Sequence, residues 1–112
     1  MPLRVDRARF EEMVGEALDT VPSHLARLMR NVVVQVEDGD DPHLFGLYEG
    51  IPLTQRSTEY SALPDQITIF RLATLAACDS EQAVVDEVRR TVVHEVGHHF
   101  GIDDERLHEL GY

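Results

Sequence analysis

The hydrophobic positions of this chain follow two different periods, which predicts a mixture of helices and strands. Near the N-terminus, apolar residues recur every three or four positions, as on one face of a helix: Phe10, Met13, Val14, Ala17, Leu18 and Val21. Asp6 precedes this stripe and is a candidate N-cap. Pro22 suits the first turn of a second, short helix that carries Leu25, Leu28 and Met29. We therefore predict two helices before residue 30.

Two later segments have the composition of β-strands. Residues 32–36 form a β-branched run with one polar break at Gln35, which predicts a well-buried strand. Residues 66–71 alternate Ile67 and Ile69 with polar side chains, a pattern typical of a half-buried strand. Between them, an acidic turn at 37–42 precedes a short strand predicted at 44–48. The segment 54–61 is polar and turn-like, and residues 43–64 as a whole are expected to form a loop along one wall of a cleft.

A second helical stripe lies near the C-terminus. Its apolar residues form one arc, which consists of Val85, Val88, Val92, Val96 and Phe100. Asp79 or Ser80 can cap this helix. The arc lies roughly opposite His94 and His98, so the helix is expected to bury its back and to present both histidines to a cleft.

The same helix carries the pattern His-Glu-x-x-His at residues 94–98. Residues four apart lie one above the other on a helix, so the imidazoles of His94 and His98 can converge on one metal ion. Glu95 lies about 100° around the axis from His94, where its carboxylate can take a proton from water at the metal. Gly101 can adopt a positive φ and end the helix. Asp104, three residues later, can then supply a third ligand.

Other residues near the motif have competing roles. Asp103 and Asp104 can each cap a last short helix, and one can do so while the other binds metal. His108 is a less favoured ligand. His99 lies about 140° from His94 around the helix axis, which favours a packing or supporting role over ligation. The simplest alternative to a metal site is a surface helix that carries two histidines by chance.

Composition narrows the class of function. The 112 residues are enough for one domain with a core, over residues 1–112. A net charge of −11 without a basic stripe argues against nucleic acid as a partner. Cys78 has no second cysteine to pair with, and its alanine neighbours predict a packed thiol without a catalytic role. The N-terminus lacks the apolar core of a signal peptide, and no segment is long enough to span a bilayer, so a cytoplasmic protein without a membrane partner is expected.

Three segments resemble a family of small bacterial zincin-like metallopeptidases, described as minimal zincins. They are residues 44–53 (LFGLYEGIPL), 63–71 (LPDQITIFR) and 88–112 (VRRTVVHEVGHHFGIDDERLHELGY). The resemblance implies a compact zincin-like fold with zinc held by His94, His98 and Asp104. Asp104 is favoured over Asp103 because this class of motif places the third ligand three residues after the glycine. The last methionine is Met29, so the methionine turn of the metzincins is absent.

The expected fold is therefore α+β, with a small mixed sheet packed on the active-site helix and the N-terminal helices. In zincins an exposed edge strand before the active-site helix holds the substrate by backbone pairing. This role is assigned here to Gln66, Ile67, Thr68, Ile69 and Phe70.

The expected function is zinc-dependent hydrolysis of a peptide or protein substrate, with Glu95 as the general base. Tyr48, Tyr60 and Tyr112 are the candidates for stabilising the oxyanion. One alternative is a non-catalytic zinc-binding or protein-interaction module, because so short a chain leaves little sequence to build the walls of a substrate cleft. Another is a protein without metal, in which neighbouring acidic side chains satisfy the histidines.

Overall fold

The computed structural model describes residues 3–50 and 64–112, so Tyr60 and the predicted turn at 54–61 lie outside the described residues. Within this part of the chain, five helices and three strands confirm the α+β class. In order they are α1 (Arg7–Asp19), α2 (Ser23–Leu28), β1 (Val32–Glu37), β2 (Gly46–Glu49), β3 (Asp65–Phe70), α3 (Arg71–Ala76), α4 (Glu81–His99) and α5 (Asp104–Glu109).

The strands form one mixed sheet in the order β1-β3-β2. Strand β1 runs parallel to β3, and β2 runs antiparallel to it. Strand β3 is thus central, and the prediction of an edge strand over residues 66–70 is wrong. Both backbone edges of Gln66, Ile67, Thr68, Ile69 and Phe70 are occupied by neighbouring strands, so a substrate has no free edge to pair with there.

The burial of side chains follows this strand order. Ile67, Thr68 and Ile69 are all buried in β3. Polar Thr68 is enclosed because Gln35 and Leu47 flank it in register, and the Gln35 amide donates to its hydroxyl at 3.0 Å. The strand predicted to be well buried, β1, is instead an edge strand in which Val33 is 45% exposed.

The helix caps agree with the sequence. Asp6 accepts a hydrogen bond from the Arg9 amide at the start of α1. Ser80, rather than Asp79, caps α4 by accepting from the Ala83 amide. The predicted stripe of α1 supplies four fully or nearly fully buried core residues, which are Phe10, Met13, Val14 and Ala17.

Helix α4 is the central element of the core. It packs along α1 and against the sheet, chiefly β2. Its buried residues are Val84, Val88, Val92, Val93, Val96 and Gly97. The predicted arc is confirmed at Val88, Val92 and Val96, and half-buried Val85 also packs against the core. The arc is wrong at Phe100, which follows the end of α4 at His99 and is 44% exposed. Burial of each valine contributes on the order of 1.5–3 kcal/mol, which compensates for the modest helix propensity of valine.

The last helix, α5, is anchored to α4 through the fully buried Leu107. In the described ranges, the helices lack the combination of length and apolar character that crossing a bilayer requires.

Candidate metal and catalytic site

A tight turn at the C-terminal end of α4 brings Asp104 back to His94 and His98. Gly101 has φ +84°, as predicted, and its amide donates to the His98 carbonyl. The Ile102 amide donates to the Gly97 carbonyl at 2.7 Å. This pair of bonds is the Schellman arrangement, which reverses the chain after a helix.

The residues after this turn divide between two roles. Asp103 caps α5 by accepting a hydrogen bond from the Arg106 amide at 2.8 Å. Asp104 is the first residue of α5, and its side chain points back toward α4. The cap predicted for Asp103 is thus present, and Asp104 is the aspartate that the fold brings to the histidines.

His94, His98 and Asp104 form a compact group of ligand atoms. The Asp104 Oδ1 atom lies 3.2 Å from His94 Nδ1 and 2.5 Å from His98 Nε2. All three ligand atoms lie within 4.8 Å of one another. Tetrahedral zinc with bonds of about 2.0–2.2 Å would hold such atoms roughly 3.4 Å apart. Two imidazoles and one carboxylate are a ligand set that zinc accepts, and the 2.5 Å contact between His98 and Asp104 is a hydrogen bond that zinc would replace.

The group faces solvent rather than the core. Asp104 has 74% of its side chain exposed, and His98 has 47%. The two imidazole rings are nearly perpendicular and lie 5.9 Å apart between centroids. Hydrogen bonds from His98 and then His94 lower the pKa of Asp104, which favours the ionised form of this carboxyl. His108 is not part of the group.

Strand β2 lies beside Glu95. The Phe70 amide donates to the Phe45 carbonyl, so in this antiparallel pair the backbone groups of Gly46 and Tyr48 point away from β3. The outward amide of Tyr48 donates to Glu95 Oε2 at 3.2 Å. An edge strand therefore does adjoin the active-site helix, but it is β2 rather than β3.

Close approach of β2 to α4 requires a glycine at position 46. A Cβ there would lie 2.5 Å from the Thr91 methyl carbon, one turn before Glu95. Because such a contact is far inside van der Waals range, a larger residue would push the strand away from the helix. Gly46 thus allows the backbone of β2 to reach the Glu95 carboxylate.

The side chain of Tyr48, whose amide donates to Glu95, forms a cluster with Asp65 and His99. The Tyr48 hydroxyl donates to Asp65 Oδ2 at 2.8 Å, and the Tyr48 ring stacks on His99 with centroids 3.9 Å apart. His99 Nε2 lies 3.9 Å from the same Asp65 oxygen. His99 thus has the packing role predicted for it. The sequence assigned no role to Asp65, and no local signal does so, because its contact with Tyr48 depends on the register of β2 on β3.

The tyrosines offer little support for an oxyanion role. The Tyr48 hydroxyl is bonded to Asp65, and the Tyr112 hydroxyl contacts His24 Nε2 at 3.4 Å. Tyr48 and Tyr112 therefore stay untested candidates, and the oxyanion-stabilising residue stays unassigned.

Two surface hollows adjoin the motif on α4. One has a volume of about 250 Å³ and is lined by His43, Leu44, Phe45, Gly46, Glu87, Arg90, Thr91, His94 and Glu95. The other has a volume of about 320 Å³ and is lined by Asp86, Arg89, Arg90, Val93, His94, Gly111 and Tyr112. The described part of this short chain thus forms two surface hollows, and His94 lines both of them.

Comparison with known proteins places this geometry in a family. One solved structure that is similar is a conserved hypothetical protein from Thermo thermophilus, with 24% sequence identity and a TM-score of 0.57. The match covers 94% of this chain and 99% of the other, and it shows a shared fold. No curated protein matches the chain.

The sequence model of the family described as zincin-like metallopeptidase matches residues 19–112. That range contains the whole sheet, the helix with the His-Glu-x-x-His motif and the turn that returns Asp104 to it. The chain therefore belongs to the zincin-like metallopeptidase family.

Proposed function

We propose that this protein is a zinc-dependent peptidase that hydrolyses peptide bonds in a peptide or protein substrate. The observation that carries the proposal is the convergence of His94, His98 and Asp104 on one point, with Glu95 lining the same hollow as His94. Metal-binding surface clusters are common, but a carboxylate held next to one, outside the ligand group, is the arrangement that hydrolysis needs.

The residues have distinct roles in the proposed reaction. Bound zinc would supply Lewis acidity, which lowers the pKa of water to about 7 and polarises a carbonyl. Glu95 accepts the proton of the attacking water and delivers it to the leaving nitrogen. His94, His98 and Asp104 provide the ligand set, and Asp103 holds Asp104 in place by capping α5.

The proposed substrate-binding edge is β2. In the described part of the chain, no strand pairs with its outer side, and the backbone groups of Gly46 point that way. An extended peptide that paired with the outward groups of Gly46 would lie next to Glu95, which accepts from the outward amide of Tyr48. The hollow beside Leu44 and Phe45 is then available to a substrate side chain.

One observation favours a second candidate function, a zinc-binding module without catalysis. The ligands are open to solvent, with Asp104 and His98 both exposed, whereas hydrolytic sites exclude much of the bulk water. The proposed compartment is the cytoplasm for either function, because a chain with the single cysteine Cys78 requires no oxidising environment.

Zinc-loaded protein prepared without a histidine tag, incubated with a diverse peptide mixture and read by mass spectrometry, tests the proposal. The matched variant is Glu95→Gln, which keeps size and all three ligands but removes the base. Hydrolysis by the wild type should exceed that by Glu95→Gln by about 10²–10⁴-fold. Equal cleavage by both would identify a contaminant. A wild type that binds zinc and cleaves nothing would leave the zinc-binding module as the function.

A further inference from the structure

We infer that Tyr48 and Asp65 are positioning residues that hold Glu95 through the backbone of β2. The inference rests on the proposed function only in calling Glu95 the base. It is argued from two hydrogen bonds of Tyr48. The Tyr48 hydroxyl donates to the Asp65 carboxylate, and the Tyr48 amide donates to the Glu95 carboxylate.

The first step concerns the amide. The Tyr48 N–H points out of the sheet, and Glu95 Oε2 accepts from it at 3.2 Å. A glutamate side chain has three rotatable bonds, so a carboxylate without partners samples many positions. A hydrogen bond from a fixed backbone donor narrows that range, which keeps a general base near its reacting geometry.

The second step concerns what fixes the donor. Strand β2 has four residues and pairs on one side with β3. A short edge strand of this kind opens easily. At Tyr48, however, the side chain is held from two directions, by the hydroxyl bond to Asp65 and by the stack on His99. The residue that donates to Glu95 is therefore anchored by its own side chain as well as by the strand pairing.

The third step concerns the anchor itself. The Asp65 side chain is only 15% exposed, so its bond to Tyr48 is largely shielded from water. Gly50 packs against the same contact. A Cβ at that position would lie 3.1 Å from His99 Cε1 and 3.7 Å from the Asp65 carboxylate oxygens. A shielded contact ties β2 to both β3 and α4, and it does so at the point where Glu95 is held.

Amide hydrogen exchange measured by NMR on the purified protein tests the inference without any need for catalysis. An outward amide on an edge strand exchanges quickly unless something accepts from it, so the protection of the residue 48 amide reports its bond to Glu95. Glu95→Ala should abolish that protection. Tyr48→Phe and Asp65→Ala should each lower it by about tenfold, and the double variant should lower it no further, because both break one bond.

Matched variants separate positioning from general stability. Asp65→Asn keeps an acceptor oxygen and should retain most of the protection, and Tyr112→Phe removes a hydroxyl elsewhere and should retain all of it. The amides of Ile67 and Ile69 in β3 serve as internal references. The inference fails if Tyr48→Phe leaves the residue 48 amide unchanged, or if the reference amides lose as much protection as it does.

Kinetics provide the second readout. In an active protein, Tyr48→Phe should lower kcat by about tenfold with KM and zinc content unchanged, because the base is misplaced while ligands and substrate edge remain. If the wild type hydrolyses no peptide, the proposed catalysis fails, yet the exchange experiment still decides whether Tyr48 and Asp65 hold Glu95. A kcat unchanged by Tyr48→Phe would overturn the positioning role.

Discussion

Gly97 of α4 lies directly against the Leu107 side chain of α5. A Cβ at position 97 would be 3.0 Å from both methyl carbons of Leu107, and Leu107 is completely buried. This contact sets how closely α5 approaches α4. Because Asp104 begins α5, the same contact sets the distance from its carboxylate to His94 and His98.

We therefore expect Gly97→Ala to weaken zinc binding although it alters no ligand. The added methyl group must displace Leu107, and overpacking of this kind costs about 1–3 kcal/mol. A loss of roughly tenfold in zinc affinity by calorimetric titration is expected, since about 1.4 kcal/mol corresponds to that factor. Gly15→Ala in α1 is the control, because nothing lies within 4 Å of its Cβ position. Unchanged zinc affinity in Gly97→Ala would show that the helix contact does not position Asp104.

The two neighbouring aspartates should respond oppositely to substitution. Asp104→Ala removes a ligand and should lose most of the zinc affinity with little change in melting temperature of the metal-free protein. Asp103→Ala removes the cap of α5 and should cost about 0.5–2 kcal/mol of stability while zinc still binds. Zinc titration beside thermal unfolding of both variants measures this. The reverse pattern would make Asp103 the ligand.

The contact between Gly46 and Thr91 predicts a pair of coupled substitutions. Gly46→Ala should destabilise the protein by about 1–3 kcal/mol, because its methyl group would collide with the Thr91 methyl. Thr91→Ser removes that methyl and keeps the hydroxyl that donates to the Glu87 carbonyl. The double variant should therefore recover part of the loss in urea unfolding. Additive effects of the two substitutions would contradict direct contact.

The ion pair between Asp38 and Arg71 predicts a dependence of stability on acidity. The hydrogen bond from Arg71 lowers the pKa of the Asp38 carboxyl, so the unfolded chain takes up a proton at higher pH than the folded one. The stabilisation is complete above the usual carboxyl pKa and is lost as the pH falls through the lowered value. The difference in unfolding midpoint between wild type and Asp38→Asn should accordingly shrink on acidification. A difference that is constant with pH would rule out this contribution.

Burial raises the pKa of the Cys78 thiol, and nearby acidic side chains raise it further. The thiolate is the reactive form, so alkylation by iodoacetamide at neutral pH should be slower than in the urea-unfolded chain. The rate should rise only as the pH passes above the usual thiol range. Equal rates in the folded and unfolded chains would contradict a packed thiol.

The local features of the fold could be predicted from the sequence. The stripe of α1, the cap at Asp6 and the turn at Gly101 all depend on residues within a few positions of one another. The His-Glu-x-x-His spacing likewise brings two imidazoles to one helix face by helix geometry alone. Cap chemistry alone leaves the division between Asp103 and Asp104 open, because it depends on where α5 begins.

Strand order could not be predicted in the same way. Val33 in an edge strand and Thr68 in a central one reverse the expectation from hydrophobicity, because burial in a three-stranded sheet depends on which strands lie alongside. The same register decides that Tyr48, rather than a residue of β3, donates to Glu95. Contacts across the sheet arise from pairing between segments far apart in sequence, and no periodicity encodes that pairing.

The ligands His94, His98 and Asp104 all come from one stretch of eleven residues (94–104), whereas Glu95 is held from a strand 47 positions upstream. On the proposed function, metal uptake and hydrolysis would thus depend on different parts of the molecule. Disruption of the sheet would release Glu95 while the C-terminal helices still bound the ion. Zinc content would then overestimate the active fraction of a preparation, and titration of active sites would be needed to count working molecules.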